Sequence, residues 1–252
     1  MRRPALPALL AIMCLVGTLQ ACGPDRDWSY EGDTGPDRWA SIDSTYAACA
    51  SGMRQSPVDL AGATPRAGSA LGIRWRSGDV QVLDNGHAIQ ADVEEGSSIV
   101  LEGRRFSLAQ FHFHLPSEHT VDGEVSPMEI QFVHRAEDGE GDLAVIGVLA
   151  HAAEAHPSIE RILNVVPRYR DDPGVVAGFN PRALLPPGPG GGDYFRYEGS
   201  LTTPPCSEVV SWAVMTAPIP VSQEQLDAFA ARYPMNARPV QPLNGRSIRV
   251  RG

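Results

Sequence analysis

A strand that carries histidines at alternate positions can offer two imidazoles to one metal ion. Residues 110–119 read QFHFHLPSEH and contain such a pair, His112 and His114. In an extended segment successive side chains point to opposite faces, so His112 and His114 share a face with Gln110 while Phe111 and Phe113 take the other. A catalytic zinc takes three protein ligands and keeps a fourth position open for water. A single His-x-His is as readily a pair of surface or hydrogen-bonded histidines. The aromatic neighbours, which point to burial, and the nearby carboxylate of Glu118 tilt the reading toward a metal. Pro116 ends the strand and argues against one helix carrying His114, Glu118 and His119, the arrangement a helical zinc-protease motif needs.

The elements that must position such a pair are short alternating segments: IRWRS (73–77), VQVLDNG (80–86), AIQADV (88–93), SIVLEG (98–103), FHFHL (111–115), MEIQFVHR (128–135) and LAVIGVLA (143–150). Turn signals punctuate them at Asp84-Asn85-Gly86, Glu95-Gly96, Asp122-Gly123 and Asp138-Gly139. The pattern predicts mainly antiparallel sheet. Two helices are expected, one near Pro157 to Val166 and one after Ser222, which is placed to cap QEQLDAFAARY. Residues 23–56, rich in Gly, Asp, Ser and Trp, predict an irregular segment lying over the core. PPGPGGG (186–192) reads as a loop, since no strand and helix flank it at the spacing a nucleotide-binding turn needs.

The chain opens MRRPALPALLAIMCLVGTLQAC, two arginines and then an apolar run too short to span a bilayer, the layout of a secretory signal. Leu19-Gln20-Ala21-Cys22 resembles the site at which bacterial lipoproteins are cleaved and acylated. Residues 1–21 are therefore expected to be a signal peptide cleaved before Cys22, 22–27 a linker, and 28–252 one domain. The mature chain is expected in the periplasm or cell envelope, touching a membrane only through lipid on Cys22. With Cys14 in the leader and Cys22 acylated, Cys49 and Cys206 remain, and export makes a disulfide between them the expected state. The net charge is −9 over 252 residues, and every basic residue is arginine. No basic cluster follows the leader, which argues against nucleic-acid binding.

From Trp28 to about Arg249 the chain resembles the alpha-class carbonic anhydrases. The stretches that carry the resemblance are WSYEGDTGPDRW (28–39), RQSPVDL (54–60), NGHAIQ (85–90), QFHFHLPSEHTVDG (110–123), LAVIGV (143–148), YEGSLTTPPCSE (197–208), Trp212 and NARPVQPL (236–243), in the order the family requires. The resemblance implies a single mainly β domain built on a large, mostly antiparallel twisted central sheet with short peripheral helices. It implies a zinc cofactor (Zn2+) and reversible hydration of carbon dioxide to bicarbonate and a proton.

The family's roles transfer residue by residue. His112 and His114 match the first two zinc ligands, and Gln110 the amide that orients the first of them. Thr202 matches the residue that orients the attacking oxygen, with Thr203 beside it, and Glu118 the carboxylate that takes the threonine's proton. His87 matches the shuttle that exports the reaction's proton, a task that suits an imidazole titrating near neutrality. Tyr30, Asn85 and Gln90 match polar groups that hold the connecting waters. Val133, Val145, Leu201, Val210 and Trp212 match an apolar wall for a small nonpolar substrate.

The third ligand departs from the pattern. Where the family reads MEIHFVH, residues 128–134 read MEIQFVH, so Gln131 stands in the histidine's place. Alternation puts Glu129, Gln131 and Val133 on one face and His134 on the other, so His134 replaces it only if the strand slips register. An amide oxygen is a poorer zinc donor than an imidazole nitrogen, yet it is neutral and leaves the ion's full charge to acidify water. Glu129 is placed to accept from the Gln131 amide. The expected site is therefore His112, His114 and Gln131, with attenuated activity. The alternatives are a catalytically silent binding or interaction protein built on the same fold, or a zinc hydrolase of another class, for which no general-base motif is present.

Overall fold

The structure, a computed structural model, describes residues 28–66, 70–168 and 172–251. The leader and Cys22 lie outside the described residues. Among the described residues thirteen strands join in one large twisted mixed sheet, and a two-stranded ribbon, Thr120–Val121 with Glu124–Val125, stands apart from it.

The middle of the sheet is the part that positions the site. Arg104–His114 pairs antiparallel with Met128–Ala136, which pairs antiparallel with Leu143–Ala152. On one side Ile89–Val93 and Gly78–Asp84 continue the antiparallel order, and Gly174–Phe179 forms that edge. On the other side Val210–Met215 runs parallel to Leu143–Ala152 and is followed by Tyr194–Gly199. Ile219–Val221 and the outer pair Thr64–Arg66 with Arg249–Arg251 are also parallel. The expected antiparallel order thus holds for most pairings, with parallel contacts where the chain returns to Leu143–Ala152 and at one edge.

One irregularity decides which face the histidines take. The register of Arg104–His114 against Met128–Ala136 shifts between Leu108 and Gln110. Before the shift the apolar side chains are Phe106 and Leu108; after it they are Phe111 and Phe113, and all four lie in the same buried core. A bulge adds one residue and exchanges the faces. Without it, His112 and His114 would point into the core with Phe106 and Leu108.

The two faces then carry different work. One packs Phe111, Phe113, Ile130, Phe132, Ile146 and Val148 under the helices Pro157–Leu163 and Gln223–Ala230. The second helix starts as expected, since Ser222 and Gln225 form a reciprocal capping box. The first stops at Leu163, short of Val166, with Asn164 as its cap. The segment over the core is less irregular than its composition predicts, holding short helical turns at Gly32–Thr34, Pro36–Arg38, Trp39–Ile42, Ser44–Tyr46 and Ala48–Ser51. Trp39 anchors it, fully buried beside Tyr30, Cys49 and Cys206.

Cys49 and Cys206 form a disulfide across 157 positions of sequence, tying this segment to the loop after Tyr194–Gly199. Closing so long a loop contributes about 2 to 5 kcal/mol, chiefly by restricting the unfolded chain. The bond also fits an oxidising compartment. Among the described residues no helix is long and apolar enough to cross a membrane.

Candidate active site

His112 and His114 emerge on the face opposite the aromatic core, with ring centroids 4.9 Å apart. The Nδ1 of His112 lies 2.9 Å from Oε1 of Gln110, and that of His114 lies 2.7 Å from the backbone oxygen of Asn236. A carbonyl oxygen only accepts, so both rings carry a proton on Nδ1, and it is the neutral form that presents a lone pair at Nε2. For His114 this Nε2 is buried with no hydrogen-bond partner. Burial, reinforced by the neighbouring His114, depresses the His112 pKa to about 3, although Glu129 and a hydrogen bond with Gln131 oppose the shift. His112 is therefore neutral at pH 7, the form in which an imidazole binds a metal.

Gln131 stands directly across from His112 in the paired strands, and Glu129 across from His114. Its Nε2 donates to Oε2 of Glu118 at 2.8 Å and to Oε1 of Glu129 at 3.2 Å. With the NH2 end committed to two carboxylates, the amide oxygen is the end of Gln131 turned toward His112. Gly147 lies opposite Gln131 on the next strand, and a Cβ there would come within 3.0 Å of Glu129 Oε1, so the bare backbone makes room for the carboxylate. His134 is not a substitute. It is fully buried on the other face, its Nδ1 3.2 Å from the Ala144 oxygen and its Nε2 accepting from Trp75, and burial lowers its pKa to about 4.

Glu118 Oε1 accepts from the backbone N–H of Arg238, and Oε2 sits 3.4 Å from His114 Nε2 as well as accepting from Gln131. Glu129 is held more fully. Its Oε1 faces Nδ1 of His119 at 2.8 Å, and its Oε2 accepts the backbone N–H groups of Glu118 and His119. Burial alone would raise the Glu129 pKa, but the facing His119 and these hydrogen bonds hold it at about 2. The network continues from His119 Nε2 to the Tyr197 hydroxyl at 2.6 Å, and Tyr197 donates to Ser56 Oγ at 3.0 Å.

The apolar residues named from the sequence meet in one cluster. Val145, Val210 and Trp212 are buried in it, with Val133 and Leu201 packed against them. Thr202, buried, and Thr203, half-buried, follow Leu201 on the loop after Tyr194–Gly199, and the Thr203 oxygen accepts from the Cys206 N–H. Gly199 starts that loop in close quarters: a Cβ would lie 2.2 Å from Ser56 Oγ. At the other end of the site His87 is half-buried, its ring stacked 3.7 Å from that of Trp28. Asn85 shapes the turn by accepting from the N–H groups of His87 and Ala88, and it donates to Gln90, which neighbours His112 across the sheet. Tyr30 is buried, and burial first, then the charge of Glu118, raises its pKa well above the ordinary tyrosine value. Trp28, Tyr30, His87, Tyr233 and Met235 line a cleft of about 590 Å³.

Four of these residues carry no role in the sequence reading: His119, Tyr197, Asn236 and Arg238. Asn236 accepts from His114 and from the Leu115 N–H, and its side chain donates to the oxygens of His87 and Phe113. Arg238 lies over the Trp39 ring and donates to Gln55 and to the oxygens of Ser56 and Cys49. Its burial lowers the guanidinium pKa to about 10. The signal for both was NARPVQPL, a polar and charged motif far from the histidines in sequence.

The donors present fit a zinc ion: the Nε2 atoms of two imidazoles whose ring centroids lie 4.9 Å apart, and one amide oxygen on the facing strand, with a fourth position for water. Among the described residues no group of three or more His, Cys, Asp or Glu side chains could hold a metal.

Residues 34–252 match the family described as eukaryotic-type carbonic anhydrase. A carbonic anhydrase of Pectobacterium atrosepticum is 37% identical over 223 residues, covering 88% of this chain and 89% of that protein. Among solved structures, the alpha-carbonic anhydrase of Thermovibrio ammonificans in complex with the inhibitor sulfanilamide superposes with a TM-score of 0.85 at 38% identity, over 90% of this chain and 100% of that one. A hyperthermostable carbonic anhydrase from a hydrothermal vent chimney gives a TM-score of 0.84 at 41% identity, with the same coverage. The chain belongs to the carbonic anhydrase family, a class of lyases.

Proposed function

We propose that the protein catalyses the reversible hydration of carbon dioxide to bicarbonate and a proton with zinc at His112, His114 and Gln131, at a rate reduced by the amide ligand. The observation that carries this reading is the buried Nε2 of His114, with no hydrogen-bond partner, beside the ring of His112, which is likewise held at Nδ1. A polar atom left so in the interior costs about 1 to 3 kcal/mol unless something binds it. Zinc, when bound, supplies the Lewis acidity that makes water nucleophilic at neutral pH.

The chain's own residues do the rest. Gln110 and Asn236 fix the two rings in the tautomer that faces the metal. Val133, Val145, Leu201, Val210 and Trp212 hold a small apolar molecule and keep bulk water from it. Thr202 orients the attacking oxygen, with Thr203 next to it in the chain, and Glu118 has the part of the carboxylate that takes the threonine's proton in the family the chain resembles. His87 carries the released proton outward, past the polar side chains of Tyr30, Asn85 and Gln90.

Purified mature protein dialysed against zinc-replete buffer and then washed should retain one zinc per chain and show sulfonamide-sensitive hydration of carbon dioxide in stopped-flow. Protein that holds no zinc and hydrates nothing would instead be a silent binding protein on the same fold.

The same reading includes export and attachment by lipid at Cys22, motivated by its place after a short apolar run. Cys22→Ser should release the folded domain from the membrane fraction. Membrane partition unchanged by the substitution would remove the anchor.

A further inference from the structure

Glu118 and Glu129 are 2% and 0% exposed, and Gln131 lies between them. A buried carboxylate must be met by donors or by opposite charge. Glu129 has three donors without Gln131, two backbone N–H groups and the His119 ring. Glu118 is served at Oε1 by the Arg238 N–H. At Oε2 its near neighbours are His114 Nε2, 3.4 Å away and making no hydrogen bond to it, and the Gln131 amide, which donates to it at 2.8 Å.

The chemistry of the side chain at this position then matters without any metal. An imidazole that turns one nitrogen to a metal has a single N–H left and can serve one carboxylate. A primary amide has two N–H bonds on one nitrogen and can serve both while its oxygen points away from them.

We propose that Gln131 is a positioning residue that bridges Glu118 to Glu129 in the metal-free protein, completing the pocket's hydrogen bonds so that the site stays folded and preorganised with no ion bound. This goes beyond the hydratase reading, because it concerns the empty protein and stands whether or not the loaded protein turns over. A site built this way trades metal affinity for independence from the metal. A histidine would do the reverse, binding zinc better and leaving Glu118 Oε2 short of a donor when zinc is absent.

The test compares thermal unfolding of the mature chain, as wild type, Gln131→His and Gln131→Leu, in EDTA and again with added zinc. In EDTA both variants should melt below wild type by about 3 to 10 °C, the shift expected for a buried acceptor that loses its donor in a domain of this size. Zinc should then invert the order for Gln131→His alone. Either variant melting at or above wild type in EDTA overturns the bridge, whatever the hydratase assay shows.

Should a variant fail to fold, nitrogen-15 NMR of metal-free wild type decides the matter. The Gln131 side-chain NH2, assigned by its contacts to the His112 ring, should exchange with solvent at least about 100-fold more slowly than that of the exposed Gln81. Exchange as fast as at Gln81 would show that no bridge forms.

Discussion

His112→Ala should abolish zinc retention and carbon dioxide hydration while leaving the protein folded. The expectation of intact folding rests on which face the residue occupies. His112 lies opposite the aromatic core and is in partial contact with solvent, whereas Phe111 and Phe113 on either side of it carry the packing. Removing an outer partner that orients a ligand costs about 10- to 100-fold in metal affinity. Loss of one of the three proposed donors should exceed that, because only His114 and the amide oxygen of the proposed set would remain. Zinc content by mass spectrometry, circular dichroism and stopped-flow hydration are the measurements. A His112→Ala protein that keeps both its zinc and its activity would place the metal elsewhere. One that keeps its fold and loses both separates this enzyme from a partner-binding protein, whose surface would barely change.

Much of this arrangement could be read from the chain, and the parts that could not have physical reasons. The strands Gly78–Asp84, Ile89–Val93, Ser98–Leu101, Met128–Ala136 and Leu143–Ala152 alternate or run apolar between clear turns, and the sequence shows them. IRWRS yields only the short strand Gly72–Arg74. Val210–Met215 escapes because Trp212, Ala213, Val214 and Met215 are all buried, so both faces are apolar and no period of two appears. Gly174–Phe179 escapes because its glycines weaken any strand signal. The parallel contacts of Leu143–Ala152 depend on distant segments and leave no local mark.

The site divides in the same way. Side chains two apart on one strand, such as His112 and His114, declare their common face. The bulge that turns this face outward was also written in the chain, as the change of apolar parity from Phe106 and Leu108 to Phe111 and Phe113. His119 with Tyr197, or His114 with Asn236, join positions 78 and 122 residues apart, and only the folded sheet brings them together. The direction of the Gln131 amide belongs to this second kind. The sequence places an amide beside Glu129, but it gives no hint that the same nitrogen reaches Glu118.

Gln131→His should raise zinc affinity and the hydration rate together, each by about tenfold or more, which corresponds to about 1.4 kcal/mol in binding. Three observations argue that the ring would fit. The position faces His112 across the sheet, so the new ring enters beside the other two donors. Glu129 Oε1 already accepts a hydrogen bond from the residue at 131, and could take the ring N–H that does not face the metal. Gly147 leaves the space behind that carboxylate open, so Glu129 need not move. The gain should come from ligation itself, because imidazole nitrogen is the better zinc donor and is equally neutral, so the acidity conferred on bound water is preserved. Equilibrium competition with a zinc chelator measures the first effect and stopped-flow hydration the second. If affinity rises and turnover does not, the amide limits metal occupancy alone, and fully loaded wild type should match the variant. If neither changes, Gln131 is no ligand to the ion.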